Sequence, residues 1–143
     1  MSLGFNRVTL PHTHLVQVMG KSPEEVQSEL HKYLDQNAVS DFEVYTFDMV
    51  IKQGGVRNVL YVGYASIPAG LKSVGQSKVI SLSNNKFIEC EIPISNYEDF
   101  LDGKFNDEMT EYKKVNQLKD DMSSVFALFQ KNDNVVRVLI PYK

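Results

Sequence analysis

The feature that most constrains this chain is an internal repeat. The stretch RVTLPHTHLVQVMGKSPEEV, Arg7 to Val26, is answered by KVISLSNNKFIECEIPISNYEDF, Lys78 to Phe100. Thr9-Leu10 pairs with Ser81-Leu82, and Leu15-Val16-Gln17-Val18 with Phe87-Ile88-Glu89-Cys90, at a constant shift of 72 (81 minus 9, 87 minus 15). Ser22 and Glu25 pair with Ser95 and Glu98 at a shift of 73 (95 minus 22). Phe42-Glu43-Val44-Tyr45 then aligns with Phe126-Ala127-Leu128-Phe129, and Asn58-Val59 with Asn134-Val135. The element order strand, helix, strand, strand recurs with its caps and turns in place, as expected of a duplicated supersecondary unit.

Each half can be read locally. Phe5 to Met19 is extended, with a break at Pro11 to His14; Val16 and Val18 share one face, Leu15, Gln17 and Met19 the other. His12 and His14 are expected as exposed turn residues, because no third histidine or cysteine lies near enough in sequence to complete a metal site. Ser22-Pro23-Glu24-Glu25 starts a helix with a reciprocal capping box, and Val26, Leu30, Tyr33 and Leu34 form its apolar stripe. Phe42 to Ile51 and Val59 to Ile67 form a hairpin about Gly54-Gly55; Gly63 marks a bulge or a close approach to the backbone. In the second half, Val79 to Leu82 and Phe87 to Ile92 are strands, with Ile88, Cys90 and Ile92 on the apolar face. Ser95 and Glu98 suggest a second capping box. A long helical stripe follows through Tyr97, Phe100, Leu101, Phe105, Met109 and Tyr112, kinked at Asp102-Gly103. Val125 to Gln130 and Val135 to Ile140 close the chain as strands. The expected fold is α+β: tandem duplicated strand-helix-strand-strand units forming a curved antiparallel sheet with two helices on one side. It is expected as a single domain over 1–143, with halves of approximately 5–70 and 77–143.

Composition narrows the function by exclusion. A formal net charge of -3 with no basic stripe gives no electrostatic footprint for direct nucleic-acid binding. The one cysteine, Cys90, cannot form an intramolecular disulfide, and no apolar run reaches the roughly 20 residues needed to span a bilayer. The N-terminus MSLGFNRV lacks the basic start and apolar core of a signal peptide, so the expected location is the cytoplasm. Three scattered histidines and one apolar-face cysteine assemble into no Ser-His-Asp, Cys-His or paired-carboxylate arrangement. No catalytic residue, cofactor or metal is therefore expected.

The duplicated order, the SLSNNKFIECEI turn and strand leading into the second helical region, and the ending VVRVLIPYK resemble the GyrI-like family, the effector-binding domains of bacterial transcription activators. The resemblance spans Arg7 to Lys143. It implies two pseudo-symmetric halves and a groove between them that holds small molecules, often lipophilic cations. Because no helix-turn-helix precedes the domain, it also implies a stand-alone form. Relatives that bind cations place a glutamate in the second-half strand after the long helix; here that strand reads SSVFALFQ and the position is Ala127. The family's frequent tryptophan is absent, and Glu91-Ile92-Pro93 stands where many relatives carry His-x-Gly. The resemblance thus implies binding rather than hydrolysis, with the acid supplied from elsewhere.

Strand alternation nominates that acid. Phe87, Glu89 and Glu91 share the face opposite Ile88, Cys90 and Ile92. Glu43, Tyr45, Phe47 and Met49 share a face of their strand, while Tyr61, Gly63 and Ala65 share one of theirs. Aromatic rings with one or two carboxylates suit a flat organic cation. The candidate ligand-binding residues are therefore Glu89, Glu91, Phe87, Glu43, Tyr45 and Tyr61, and the expected partner is a small organic ligand with cations the favoured class. The alternative is a protein-interaction module that inhibits or modulates an enzyme such as DNA gyrase. It would dock a basic partner on Glu98, Asp99, Asp102, Asp107, Glu108 and Glu111, residues that otherwise form a solvated helix face.

Overall fold

The computed structural model describes residues 3–121, 125 and 127–143, and for 47, 49–53 and 57 the backbone only. In chain order the elements are β1 (Phe5–Thr9), β2 (His14–Gly20), α1 (Pro23–Gln36), β3 (Val44–Gln53), β4 (Val56–Ile67), β5 (Lys78–Ser81) and β6 (Lys86–Pro93). A 3-10 turn (Ile94–Asn96) leads to α2 (Tyr97–Leu101), α3 (Asn106–Val115), β7 (Leu128–Lys131) and β8 (Val135–Pro141). The fold is α+β, and its strands form two antiparallel four-stranded sheets, ordered β3-β4-β2-β5 and β1-β6-β8-β7.

The two orders are the same order. Replacing β3, β4, β2 and β5 by their repeat equivalents β7, β8, β6 and β1 converts one sheet into the other. Each sheet takes its edge strand from the opposite half of the sequence. The compact units are consequently His12–Leu82 and, for the other, the chain up to Pro11 together with Ser83–Lys143. The exchange is reciprocal to the residue. Leu15 lies opposite Ile80 in one unit and Phe87 opposite Val8 in the other, so both 87 minus 15 and 80 minus 8 give the repeat's 72. Even the loop bonds obey it: Leu10 N–H donates to the Asn85 carbonyl at 2.9 Å, and Leu82 N–H to the Thr13 carbonyl at 2.8 Å.

In the second part of the repeat the register differs from the sequence alignment by one residue. Val18 faces Gly63 and Cys90 faces Val138, so Gly63 corresponds to Val138 at a shift of 75 (138 minus 63). The aligned Asn58-Val59 and Asn134-Val135 are 76 apart (134 minus 58). Tyr45 likewise corresponds to Leu128 rather than Phe129, because Tyr45 faces Tyr64 and Leu128 faces Leu139. A one-residue slip exchanges the two faces of a strand, so only cross-strand register settles which residues correspond.

In the unit His12–Leu82, α1 lies on the sheet face formed by Val16, Val18, Ala65 and Ile67, burying Val26, Leu30, Tyr33 and Leu34 there. Ser22 caps the helix by accepting the Glu25 N–H at 3.1 Å. The expected return bond goes one residue further out: the Glu25 carboxylate accepts the N–H of Lys21 at 3.0 Å. Gly63 proves to be a close approach and not a bulge. The β2–β4 register runs unbroken from His14↔Ile67 to Gly20↔Tyr61, and a Cβ on Gly63 would fall on Val26 and lie 2.8 Å from Leu30 Cδ1.

In the other unit, α2 and α3 cover the face of Cys90, Val138 and Phe129; the rings of Tyr97 and Phe100 each meet Phe129 edge-on at 6.1 Å. Phe5 of β1 packs on Tyr112 of α3 at 4.9 Å. The long second helix is two helices, because Gly103 adopts φ +84 and ends the first. The second capping box does not form. Pro93 feeds a 3-10 turn, so Ser95 sits inside a turn instead of at an extended cap position, and α2 begins at Tyr97 without a side-chain cap. β7 starts at Leu128, three residues later than expected from Val125, and Phe126 lies outside the described residues. Cys90 is buried, and its thiol is pushed up to about 12 by burial with the charge of Glu89 adding to it, so it is a core group and not a nucleophile. Among the described residues no helix is long and apolar enough to cross a membrane.

Candidate functional site

Because α1 takes the Val16/Val18 face, alternation turns Leu15 and Gln17 of β2 and Tyr64 of β4 to the opposite face of that sheet. Tyr45 of β3 faces Tyr64 across the ladder and joins them. Hydrogen bonds organise this face: Gln17 Nε2–H donates to the Tyr64 hydroxyl at 2.8 Å, and His12 Nε2 lies 2.6 Å from the Tyr45 hydroxyl. Both aromatic rings are buried. Burial raises the Tyr64 hydroxyl above its ordinary pKa, the bond from Gln17 opposing it. His12 is thus not the exposed turn residue expected of it: it is half-buried and its ring is held. His14, by contrast, meets only the neighbouring Thr13 hydroxyl among described hydrogen bonds, at 2.9 Å from Nδ1.

Burial lowers His12 below its ordinary 6.5, with the Glu43 carboxylate partly offsetting this. The sign follows directly. The unfolded chain takes up this proton near 6.5 and the folded chain only at lower pH, so between those values the unfolded state binds more protons. Stability is therefore expected to fall as pH drops below about 6.5, with no contribution from His12 above it. Urea denaturation of wild type and His12→Asn at neutral and mildly acidic pH should show the two curves converging as pH falls. A gap independent of pH would exclude His12 as the source.

On the second sheet the corresponding face carries charge. Glu89 of β6 occupies the position of Gln17, and its carboxylate accepts a hydrogen bond from Arg137 Nε at 2.5 Å; Arg137 Nη1 also donates to the Gln130 Oε1 at 3.0 Å. The pair is mostly buried, with side-chain exposures of 20% for Glu89 and 32% for Arg137. A charge-assisted bond of this kind fixes the carboxylate and matches its charge. Glu91 lies on the same face, directly across the ladder from Arg137, and is exposed. Three charges in a row thus leave one net negative.

The six expected residues divide between the units. Phe87, Glu89 and Glu91 share one sheet face in one unit. Glu43 and Tyr45 share a face in the other, Glu43 exposed with its N–H bonded to Ser66 Oγ at 2.8 Å. Tyr61 does not join them: it packs on the α1 side against the Val16–Ala65 core. The rings of Phe87 (0% exposed) and Tyr45 (1%) are closed to ligand contact in this conformation. Phe47 and Met49 lie outside the described side chains. Arg137 is the residue that sequence reading missed. Alternation along Val135–Pro141 places it on a face with Leu139, but its pairing with Glu89 depends on a strand neighbour 48 residues away.

Two other features compete for attention. Asp121 is buried and accepts from the Ser83 hydroxyl at 2.9 Å and from the Asn84 amide, a staple on the turn before β6. A cleft of about 280 Å³ lies beside α1, bordered by Glu25, Glu29, Lys32, Tyr33 and Gln36 and by residues 74–77; none of the six expected residues borders it. Among the described residues, no group of three or more His, Cys, Asp or Glu is placed to hold a metal ion.

No family model and no curated protein matches this sequence. Solved structures do. An uncharacterized conserved protein from Listeria innocua is similar at a TM-score of 0.54 and 12% identity, covering 99% of this chain and 93% of that one. A protein described as a hydrolase from Listeria innocua is similar at a TM-score of 0.55 and 14% identity, with the same coverages of 99% and 93%. The likeness is one of fold. At such identities it transfers no chemistry.

Proposed function

We propose that this protein is a small-molecule binder of the effector-binding type that takes amphipathic organic cations, with Glu91 as the first charge they meet. The observation that carries this reading is the Glu89–Arg137–Gln130 row with exposed Glu91 beside it. Arg137 already answers Glu89, so among the described residues Glu91 is the carboxylate of this row without a charged partner of its own. The resemblance to GyrI-like domains in the duplicated order and in SLSNNKFIECEI supports a binding role, although the acid sits on β6 and not at Ala127, which is buried. The hydrolase description of one structural neighbour adds no catalytic reading, since among the described residues no nucleophile-base pair stands on this face.

A thermal-shift titration with tetraphenylphosphonium and rhodamine 6G tests the proposal. Wild type should be stabilised, Glu91→Gln should lose most of the shift, and Arg137→Gln should gain, because it frees a second carboxylate. Each variant is compared with its own ligand-free midpoint. The absence of any shift in wild type, or equal shifts in all three proteins, would defeat the cation reading. A second reading, a module that docks a basic protein, is favoured by the exposure of Glu98, Asp102, Asp107 and Glu111 along α2 and α3. Charge reversal of those four residues should abolish a lysate pull-down if it holds.

A further inference from the structure

We infer that the cleft beside α1 is a second binding site, separate from the Glu91 row, and that it takes a basic α-amino acid of the lysine, ornithine or arginine kind. The inference does not rest on the cation reading. Every residue bordering the cleft lies within His12–Leu82, and Glu91 belongs to the other compact unit.

The walls of the cleft are held in place. One is the outer stripe of α1, where Glu25, Glu29, Lys32 and Gln36 follow one another at spacings of three and four residues and so share a side of the helix. The other is the tight turn of residues 74–77, in which Val74 and Ser77 exchange backbone hydrogen bonds at 3.0 and 2.9 Å and Gly75 takes φ +57. Bonds on both sides fasten this turn. The Tyr33 hydroxyl donates to the Lys72 carbonyl at 2.9 Å, and Val79 N–H donates to Ser73 Oγ at 2.9 Å. Tyr33 is itself part of the buried cluster under α1. A cleft whose walls are already ordered spares its ligand the cost of ordering them. Its volume of about 280 Å³ falls just below the usual range of about 300–1,000 Å³ for ligand cavities, which points to a small metabolite.

The charges set the class. Two carboxylates and one ammonium border the cleft, so a ligand that answers all three carries two positive groups and one negative. Glu29 is half-buried and Lys32 exposed, in the order and spacing that would let them pair, yet neither makes a hydrogen bond or ion pair among the described residues. Three residues of helix set them about 4.5 Å apart along the axis, a spacing suited to the adjoining carboxylate and ammonium of one α-amino acid. Glu25 stands about 6 Å beyond Glu29 along the axis. One of its oxygens accepts the Lys21 N–H at 3.0 Å, and Oε1 is left to meet a side-chain cation. Val74, 53% exposed at the rim, offers apolar surface to the aliphatic stem. Along the helix the order Lys32, Glu29, Glu25 thus mirrors carboxylate, α-ammonium and side-chain cation. A plain cation would leave Lys32 unanswered, and a plain zwitterion would leave Glu25.

Isothermal titration calorimetry of the full chain with L-lysine, L-ornithine and L-arginine tests the inference. At least one of them should bind. Norleucine, which lacks the side-chain cation, and cadaverine, which lacks the carboxylate, should bind about tenfold or more weakly, each losing one charge-assisted bond. Glu29→Gln and Lys32→Gln should each weaken the amino acid by a similar factor, whereas Lys32→Gln should not weaken cadaverine. Neither substitution touches the buried stripe of α1, so both variants should fold. Glu29→Gln should also leave the tetraphenylphosphonium shift at its wild-type value, which separates this site from the Glu91 row. No binding of any of the three amino acids at millimolar concentration, equal binding of norleucine or cadaverine, or an affinity indifferent to both substitutions overturns the proposal.

Discussion

Gly63→Val should be among the most damaging single substitutions in this chain, and Gly63→Ala should already cost about 1–3 kcal/mol, the usual range for overpacking a filled core. The cause is a missing side chain. Val26 and Leu30 occupy the space above the Gly63 Cα, so a Cβ would lie 2.8 Å from Leu30 Cδ1 and closer still to Val26. Neither neighbour can retreat freely. Both are buried in the cluster that holds α1 against Val16, Val18 and Ala65. The helix would have to rise off the sheet, loosening every contact along its stripe, and the two further methyls of valine exceed what such a shift relieves. Urea denaturation of the three proteins should give midpoints in the order Gly, Ala, Val. A compensating Leu30→Ala in the Gly63→Ala background should cost less than Leu30→Ala alone, because the added methyl fills part of the cavity. If alanine is neutral, α1 does not sit this close to β4.

That glycine shows how legible the fold was. A Gly in a strand of branched and aromatic residues announces either a bulge or a close approach, and the helical stripe of Val26, Leu30, Tyr33 and Leu34 announces what approaches. Local chemistry of this kind is written in the sequence, and so is the duplication. What the sequence does not announce is the exchange of edge strands. Arg7-Val8-Thr9 and Lys78-Val79-Ile80 carry the alternation of an edge strand, but alternation fixes a face and not a neighbour. The physical reason for the exchange becomes visible only with register: Val8 lies opposite Phe87 and Ile80 opposite Leu15, each edge strand covering the central strand of the other half. The slip by one residue in the β4–β8 alignment has the same origin. Identity is too low there for sequence to choose between 75 and 76, whereas the ladder admits one.

The candidate site was legible to the extent that it depends on alternation and illegible where it depends on pairing. Glu89 and Glu91 fall on one face as alternation requires, and Gln17 and Glu89 are true equivalents. Yet the charge of Glu89 is answered by Arg137, and its aromatic companion Phe87 is wholly buried. A hydrophobic pattern cannot distinguish a ring that lines a groove from one that fills a core. His12 illustrates the converse. It was expected as a solvated turn residue because of its neighbours in sequence, but a tyrosine 33 positions away holds it.

Phe129→Ala should be more costly than Gly63→Ala, at about 3–5 kcal/mol, the range for removing a buried aromatic side chain. Phe129 is 1% exposed and stands between Val138 of β8 and the two rings of Tyr97 and Phe100. It is the one side chain of β7 that both rings of α2 meet edge-on, and α2 has only 5 residues. A helix so short contributes little of its own stability and is held by packing. Truncation would therefore remove the transfer free energy of the ring and two edge-to-face contacts, each worth about 0.5–1.5 kcal/mol. The turn after α2 is closed by its own backbone bonds, Asp102 N–H to the Glu98 carbonyl and Gly103 N–H to the Phe100 carbonyl, each at 3.0 Å, so the loss would fall on the packing of Tyr97 and Phe100. Two measurements separate this account from general destabilisation. The denaturation midpoint should fall by the amount stated, and amide exchange in the native state should accelerate over Tyr97–Leu101 more than over α1. Phe129→Leu, which keeps most of the volume and loses the ring contacts, should recover the larger part of the stability. Equal acceleration in both helices would mean that Phe129 does not anchor α2.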